Sequence, residues 1–318
     1  YMLAAIIRRK TGQTLTEYLT PRLYEPLGIE AHPWETCPNG TEKGGWGLSL
    51  TIESVTKIGQ LYLNKGRWET KSGARQLVSE RWVEEAVRPQ IETPKGEITY
   101  GYGHQIWMTA RKGAFLFNGA FGQYMLAVPD RNALVVLFSG TSRLFANGGV
   151  LDQVTAALDT VQEPPLPPLP KDEAGRDALA TTLNGLTVRY RPAYYNPSLS
   201  PLPMAEAARR LDGRVYTFPS NIGGVMPMIL QTVHNNFTKG LTRAAFDLLD
   251  DGALLVELAE GEETHRFVLA ENHYSAGTVC QRGDTYAIRA AAQAALLEED
   301  VLQINAVVHF IETPFTRL

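Results

Sequence analysis

Leu3, Ile6 and Ile7 recur on one face of a 3.6-residue turn, so residues 1–9 read as a helix, and Gly12 is placed to end it. Thr14 and Glu17 stand at capping-box spacing and start a second helix that carries Leu15, Tyr18 and Leu19, with Pro26-Leu27-Gly28 as its stop. Further helices are predicted over Ile52–Asn64, closed by Gly66, and over Ser79–Val87, where Ser79 is the N-cap. The period then shortens to two, giving strands over Tyr100–Thr109, Gly113–Phe117, Gln123–Val128 and Ala133–Ser139. Pro129-Asp130-Arg131-Asn132 is the turn of the last hairpin. Asp152–Val161 reads as a closing helix. This half is α+β, an antiparallel sheet flanked by helices.

The pattern breaks at Gln162–Glu173, where five prolines fall within seven residues and favour an extended spacer. We place one domain at 1–161, a Pro-rich linker at 162–175 and a β-rich domain at 176–318. Beyond the linker, short strands are predicted at Thr187–Tyr190, Gly213–Phe218, Ile229–His234, Ala244–Leu249, Ala253–Leu258, Thr264–Val268 and Val301–Ile311. Asp250-Asp251-Gly252 is the turn between two of them. Met204–Leu211 and the Ala-rich Tyr286–Leu297 read as helices. Short strands at this spacing point to a barrel-like architecture.

With 318 residues, 44% of them hydrophobic, the chain is long enough for two cores. A net charge of -4 and the lack of any long run of Lys or Arg exclude nucleic acid and anionic membrane surfaces as partners. No apolar stretch reaches the roughly 20 residues a membrane span needs. Cys37 and Cys280 are far apart and read as free, buried thiols. The chain starts at Tyr1 without a signal-peptide pattern, and Val307–Leu318 ends without a closing turn, so both ends are expected to be cut from a longer protein. The compartment is left open, with the cytoplasm favoured over secretion.

The six histidines form no pair at i, i+4 and no Cys-x-x-Cys accompanies them, so no metal site is expected. Gly44-Gly45-Trp46-Gly47 lacks the Lys-Ser/Thr of a phosphate loop, and no cofactor is called for. No Gly-x-Ser-x-Gly elbow and no Ser-x-x-Lys pair is expected within the chain, and Ser72, Ser79, Ser139 and Ser142 sit in turn or cap contexts. What stands out is Asn118-Gly119-Ala120-Phe121-Gly122-Gln123 between two strands. Gly in a strand marks a bulge or the close approach of another backbone or a ligand.

A resemblance adds to this reading. Tyr1-Met-Leu-Ala-Ala-Ile-Ile, Thr11-Gly12-Gln13, Tyr24-Glu25-Pro26-Leu27-Gly28-Ile29, Gly44-Gly45-Trp46-Gly47-Leu48, Gly59-Gln60-Leu61-Tyr62-Leu63 with Gly66, Trp82-Val83 and Tyr100-Gly101-Tyr102-Gly103 run in a familiar order. Over residues 1–160 they resemble the serine β-lactamase-like family of class C β-lactamases, DD-peptidases, esterases and 6-aminohexanoate-dimer hydrolases. The resemblance implies a β-lactamase/transpeptidase-like fold, incomplete here, whose Ser-x-x-Lys nucleophile and Tyr-x-Asn base fall upstream of Tyr1. The upstream part of the same protein would then be this chain's partner, and the chain alone would be inactive. Phe117-Asn118-Gly119 occupies the position of the family's Lys-Thr-Gly or His-x-Gly strand. The missing cation favours an amide or ester substrate over a β-lactam. Gly119 would let a small-molecule or peptide substrate lie along the strand, with the Ala120 N–H as an oxyanion donor and with Phe117, Asn118, Gln123 and Tyr102 contacting substrate. On this reading a β-branched residue at 119 costs turnover and leaves the fold intact. The alternative is a non-catalytic relative that binds peptide or cell-wall fragments. Gly213-x-x-Tyr216 and Asn221-x-Gly223 in the β-rich tail resemble the lipocalin-like extensions of some members.

Overall fold

A computed structural model describes residues 1–30, 34–70, 72–93, 100–139, 150–160, 170–186, 200–225, 231, 237–271, 274–281, 284–298 and 301–310. Outside these lie Thr187–Tyr190, most of Ile229–His234, most of the proline run, His32, His273, Ser142 and the final residues 311–318. The chain divides into two compact units, Tyr1–Pro167 and Pro168–Leu318.

In the first unit, α1 (Met2–Thr11) ends at Gly12, whose φ of 74° is the left-handed conformation that glycine adopts without cost. The capping box forms as read: the Thr14 N–H donates to Glu17 Oε2 at 2.8 Å, and the Glu17 N–H donates to Thr14 Oγ1 at 3.1 Å. It opens α2 (Leu15–Leu19), which continues through a π turn at Thr20–Tyr24 into α3 (Glu25–Leu27). The buried Glu42 accepts from both the N–H and the hydroxyl of Thr16, placing a carboxylate at the positive end of α2. Next come α4 (Ile52–Leu63), the hairpin β1 (Arg67–Thr70) and β2 (Gly73–Gln76), and α5 (Glu80–Ala86). Thr51 and Ser79 cap α4 and α5.

Four antiparallel strands follow in the order β3 (Trp107–Met108), β4 (Phe115–Gly119), β5 (Gln123–Val128) and β6 (Ala133–Phe138). Tyr100–Thr109 is not one strand. It folds back on itself, with the Gly103 N–H on Ile106 O at 2.7 Å and the Met108 N–H on Gly101 O at 2.9 Å, and only its end joins the ladder. The fold-back sits against α5 so closely that a Cβ on Gly103 would lie 2.2 Å from Ala86 O. One sheet face buries Phe115, Met125 and Ala127 beneath α4 and α5. The other buries Leu116, Tyr124, Leu126 and Val128 with Leu151 and Leu158 of α6 (Val150–Thr160). Gly59 lets α4 approach, since a Cβ there would meet Met125 Sδ at 2.9 Å.

The second unit begins with α7 (Glu173–Asn184), whose N-cap Asp172 accepts from the Gly175 N–H at 2.8 Å. Then come β7 (Ser200–Leu202), α8 (Met204–Leu211), β8 (Val215–Ile222), β9 (Leu241–Leu248), β10 (Leu254–Glu260), β11 (Glu263–Leu269), β12 (Ser275–Gln281), β13 (Asp284–Glu298) and β14 (Val301–Phe310). From β8 to β14 each strand pairs antiparallel with the next, and β7 pairs with β13. The predicted Asp250-Asp251-Gly252 turn joins β9 to β10, with Gly252 at φ 83°.

The predicted helix over Tyr286–Leu297 is a strand. Tyr286, Ile288, Ala290, Ala292 and Ala294 all enter the core at period two, and β12, β14 and β7 pair along it. Pairing on both sides outweighs the helix propensity of alanine. Helix α8 packs Ala207 and Ala208 into the same core and touches β9, β10 and β13. In a flat sheet β9 and β13 would stand about 19 Å apart, four strand spacings, so the sheet curls around the helix. Among the described residues β8 and β14 do not pair with each other, and the sheet remains open. Glu260 and His265 are buried in this unit. Glu260 Oε2 accepts from the Val225 N–H at 2.9 Å and meets His265 Nε2 at 3.0 Å, while His265 Nδ1 accepts from the Cys280 N–H.

Candidate functional site

The β4–β5 hairpin holds the residues singled out in the sequence. Its register runs from Phe115 opposite Ala127 to Gly119 opposite Gln123. On the other side of β4, pairing with β3 stops at Trp107 opposite Leu116. Among the described residues, Phe117–Gly119 therefore has no ladder partner on that side.

The hairpin tip is under strain. Phe121 has φ 62° although it is bulky and only 5% exposed, and Gly122 follows at φ 91°. Ser139 holds the tip: its N–H donates to Gly122 O at 3.1 Å, and its hydroxyl lies within reach of the carbonyls of Phe121 and Gly122. Gln123 returns a bond from Nε2 to Ser139 O at 2.6 Å, so its amide is committed to the hairpin.

Strand alternation divides the predicted site between two faces. Phe117, Gly119 and Gln123 lie on the α4 face, where the Phe117 ring meets Tyr62 edge-on at 5.3 Å. Asn118 and Tyr102 belong to the α6 face, where the Tyr102 ring sits 4.5 Å from Trp107 and the backbone line runs Ile91, Tyr102, Trp107, Leu116, Leu126, Val135. Ala120 is half-buried in the turn. A Cβ on Gly119 would lie 2.9 Å from Gln123 Cβ and 3.1 Å from Gln123 O. The close approach that this glycine permits is thus to its own cross-strand partner, which corrects the expectation that a β-branched residue at 119 leaves the fold intact.

Asn118 and Tyr124 face each other across the hairpin, and both Asn118 Oδ1 and the Tyr124 hydroxyl are buried without a hydrogen-bond partner among the described residues. Burial pushes the Tyr124 hydroxyl pKa up. Unpartnered polar atoms at a strand end are costly, and residue identity alone does not reveal them.

One Ser-x-x-Lys spacing does occur within the chain, Ser54-Val55-Thr56-Lys57 on α4, with Tyr62-Leu63-Asn64 at Tyr-x-Asn spacing beyond it. Spacing alone finds these residues, but their geometry is structural. Ser54 is 5% exposed, its N–H donates to Thr51 Oγ1, and its hydroxyl lies 3.0 Å from the same atom. Lys57 Nζ donates to Gly28 O at 2.5 Å, and no hydrogen bond joins it to Ser54 among the described residues. Tyr62 is packed against Phe115 and Phe117.

Among the described residues no group of three or more His, Cys, Asp or Glu is placed to hold a metal ion, and no helix is long and apolar enough to cross a membrane. Cys37 and Cys280 are free thiols but only partly buried, which corrects the expectation that both are buried, and Cys37 is a distinct polar feature. The Tyr1 hydroxyl at 3.3 Å and the N–H groups of Thr41 and Asn39 stabilise its thiolate, lowering its pKa to about 7.

No protein-family model and no curated protein matches the chain. Among solved structures, the chain is similar to a protein assigned as a 6-aminohexanoate-dimer hydrolase from Bacillus anthracis. The identity is 26%, the TM-score 0.40, and the match covers 49% of this chain and 40% of that one. It is also similar to the octameric penicillin-binding protein homologue from Pyrococcus abyssi, at 13% identity and a TM-score of 0.34, over 97% of this chain and 61% of that one. The chain thus spans less than two thirds of the length of either protein, and scores this low fix neither fold nor activity.

Proposed function

We propose that this chain is part of a serine hydrolase of the β-lactamase-like family, acting on an amide or ester through an acyl-enzyme whose nucleophile lies upstream of Tyr1. The observation that carries the reading is the outer edge of Phe117–Gly119, which has no ladder partner among the described residues. An extended acyl chain adds to such an edge as a further strand, taking its main-chain hydrogen bonds from the protein backbone. The order of family-like segments over residues 1–160 supports the same assignment. In this reading the Ala120 N–H, at the turn beyond the edge, is the oxyanion donor, and Asn118 Oδ1 accepts a substrate N–H. Phe117 contributes backbone only, because its ring is turned to Tyr62.

The alternative, a non-catalytic relative that binds peptide, draws on the same position: with Phe at 117 no cation stands where the family holds a substrate carboxylate. A fluorophosphonate probe separates the readings. The parent protein is expected to take label at one Ser upstream of Tyr1, and this chain alone is expected to take none. Label on Ser54 or any other Ser of this chain overturns the upstream nucleophile. A parent protein that takes no label and turns over no ester supports the binding reading.

A further inference from the structure

Between the α6 face of the sheet and α6 itself lies a cavity of about 330 Å³, at the other end of the β4–β5 hairpin from Gly119. The two places are separated by the length of β4, about 16 Å, so the cavity is distinct from the strand edge discussed above. Its floor is apolar, made by Ala114 and by Leu126 and Val128 of β5, with Leu151 and Ala156 of α6 as one wall. The size is at the lower end of small-molecule sites and equals about ten water molecules of the liquid, room for a ligand of roughly that many heavy atoms.

The charges around the cavity decide what kind of ligand fits. Arg111, Asp152 and Asp159 line it. Arg111 is fully engaged: Nε and Nη2 hold Asp130, the latter at 2.6 Å, and Nη1 holds Asp159 at 2.6 Å. Arg131 adds a second contact to Asp159 at 3.5 Å. Asp152 stands apart from this network and has no hydrogen-bond or ion-pair partner among the described residues. It lies one residue after Leu151 and four before Ala156 on the wall that α6 presents to the cavity. The cavity therefore pairs an apolar floor with one exposed carboxylate at its rim, in the first turn of α6 and outside the ion-pair network.

We propose that this cavity binds a small apolar molecule bearing one ammonium group, with the hydrocarbon on Leu126, Val128 and Leu151 and the ammonium against Asp152. The Asp152 carboxylate would repel an anion and attract an ammonium, and a neutral molecule would gain only the apolar contact.

The test is a titration of the full chain with phenethylammonium at neutral pH, read from the methyl signals of Ala114, Leu126, Val128 and Ala156. Phenethyl alcohol and phenylacetate serve as the neutral and anionic controls. Saturable shifts at these methyls are expected with the ammonium, and affinity about fivefold lower for the alcohol, the upper end for a solvent-exposed ion pair. Asp152→Asn should bring the ammonium down to the level of the alcohol and leave the alcohol unchanged. Ala156→Leu, on an exposed helix position, should remove binding of all three. The proposal fails if no shift saturates, if the alcohol or phenylacetate binds as tightly as the ammonium, or if Asp152→Asn changes nothing. Should Ala156→Leu not fold, the Asp152→Asn comparison still decides, because it alters no volume.

Discussion

Replacing Gly119 by Ala tests whether the hairpin needs glycine for its own closure. The new Cβ would stand 2.9 Å from Gln123 Cβ and 3.1 Å from Gln123 O, so the two strands must separate by several tenths of an ångström at their last pair. Overpacking of this kind costs about 1–3 kcal/mol, and the reduced freedom of the unfolded chain returns about 0.4–1 kcal/mol. The net loss is about 1–2 kcal/mol, a fall in midpoint of about 2–8 °C for a unit of this size. Tryptophan fluorescence isolates the relevant transition, since Trp34, Trp46, Trp68, Trp82 and Trp107 all belong to the first unit. The decisive measurement is a double-mutant cycle with Gln123→Gly, which removes the Cβ that the added methyl would strike. If Gly119→Ala costs as much in the Gln123→Gly background as in the wild type, the clash with the Gln123 Cβ is not the reason for glycine. If it costs nothing in either, the strand tolerates a side chain there and closure of the hairpin does not require glycine.

Tyr124→Phe is expected to leave the melting midpoint unchanged or raise it, because the hydroxyl it removes is buried and unpartnered among the described residues; a fall of more than about 1 kcal/mol would reveal a partner for that group. The Cys37 thiolate, favoured by the Tyr1 hydroxyl, should give iodoacetamide alkylation that rises with pH and is half-maximal near pH 7, read in a Cys280→Ser background. Tyr1→Phe removes the largest lowering contribution and should move that inflection upward; an inflection unchanged by Tyr1→Phe refutes the assignment.

Local signals in the sequence that act within a few residues are present in the structure: the Gly12 stop, the Thr14–Glu17 box, the Ser79 cap and the Asp250–Gly252 turn. Elements fixed by distant pairing were not legible. Ser275–Gln281 is a strand through its partners β11 and β13, and Tyr100–Thr109 turns back because Gly103 must pass Ala86 O. Asp172 caps a helix that the neighbouring prolines disguise as spacer. At the candidate site, the glycine is what singles out residues 117–119 in the sequence. Their division between two faces was not, since it depends on strand alternation combined with which helix covers each face.

Strand β13 has a consequence for how the second unit folds. Between Ala287 and Ala295 it carries six alanines, the residue that most favours helix, yet its native partners lie on three other strands. Helical turns form on the microsecond scale or faster, well before pairings that await loop closure. The segment therefore starts from a local preference that its final neighbours must reverse, a conflict between levels that most of the chain avoids. A substitution such as Ala295→Val, at a partly buried position of the strand, lowers helix preference and raises strand preference, and so acts on the unfolded ensemble and on the rate at which β12 and β14 find their place.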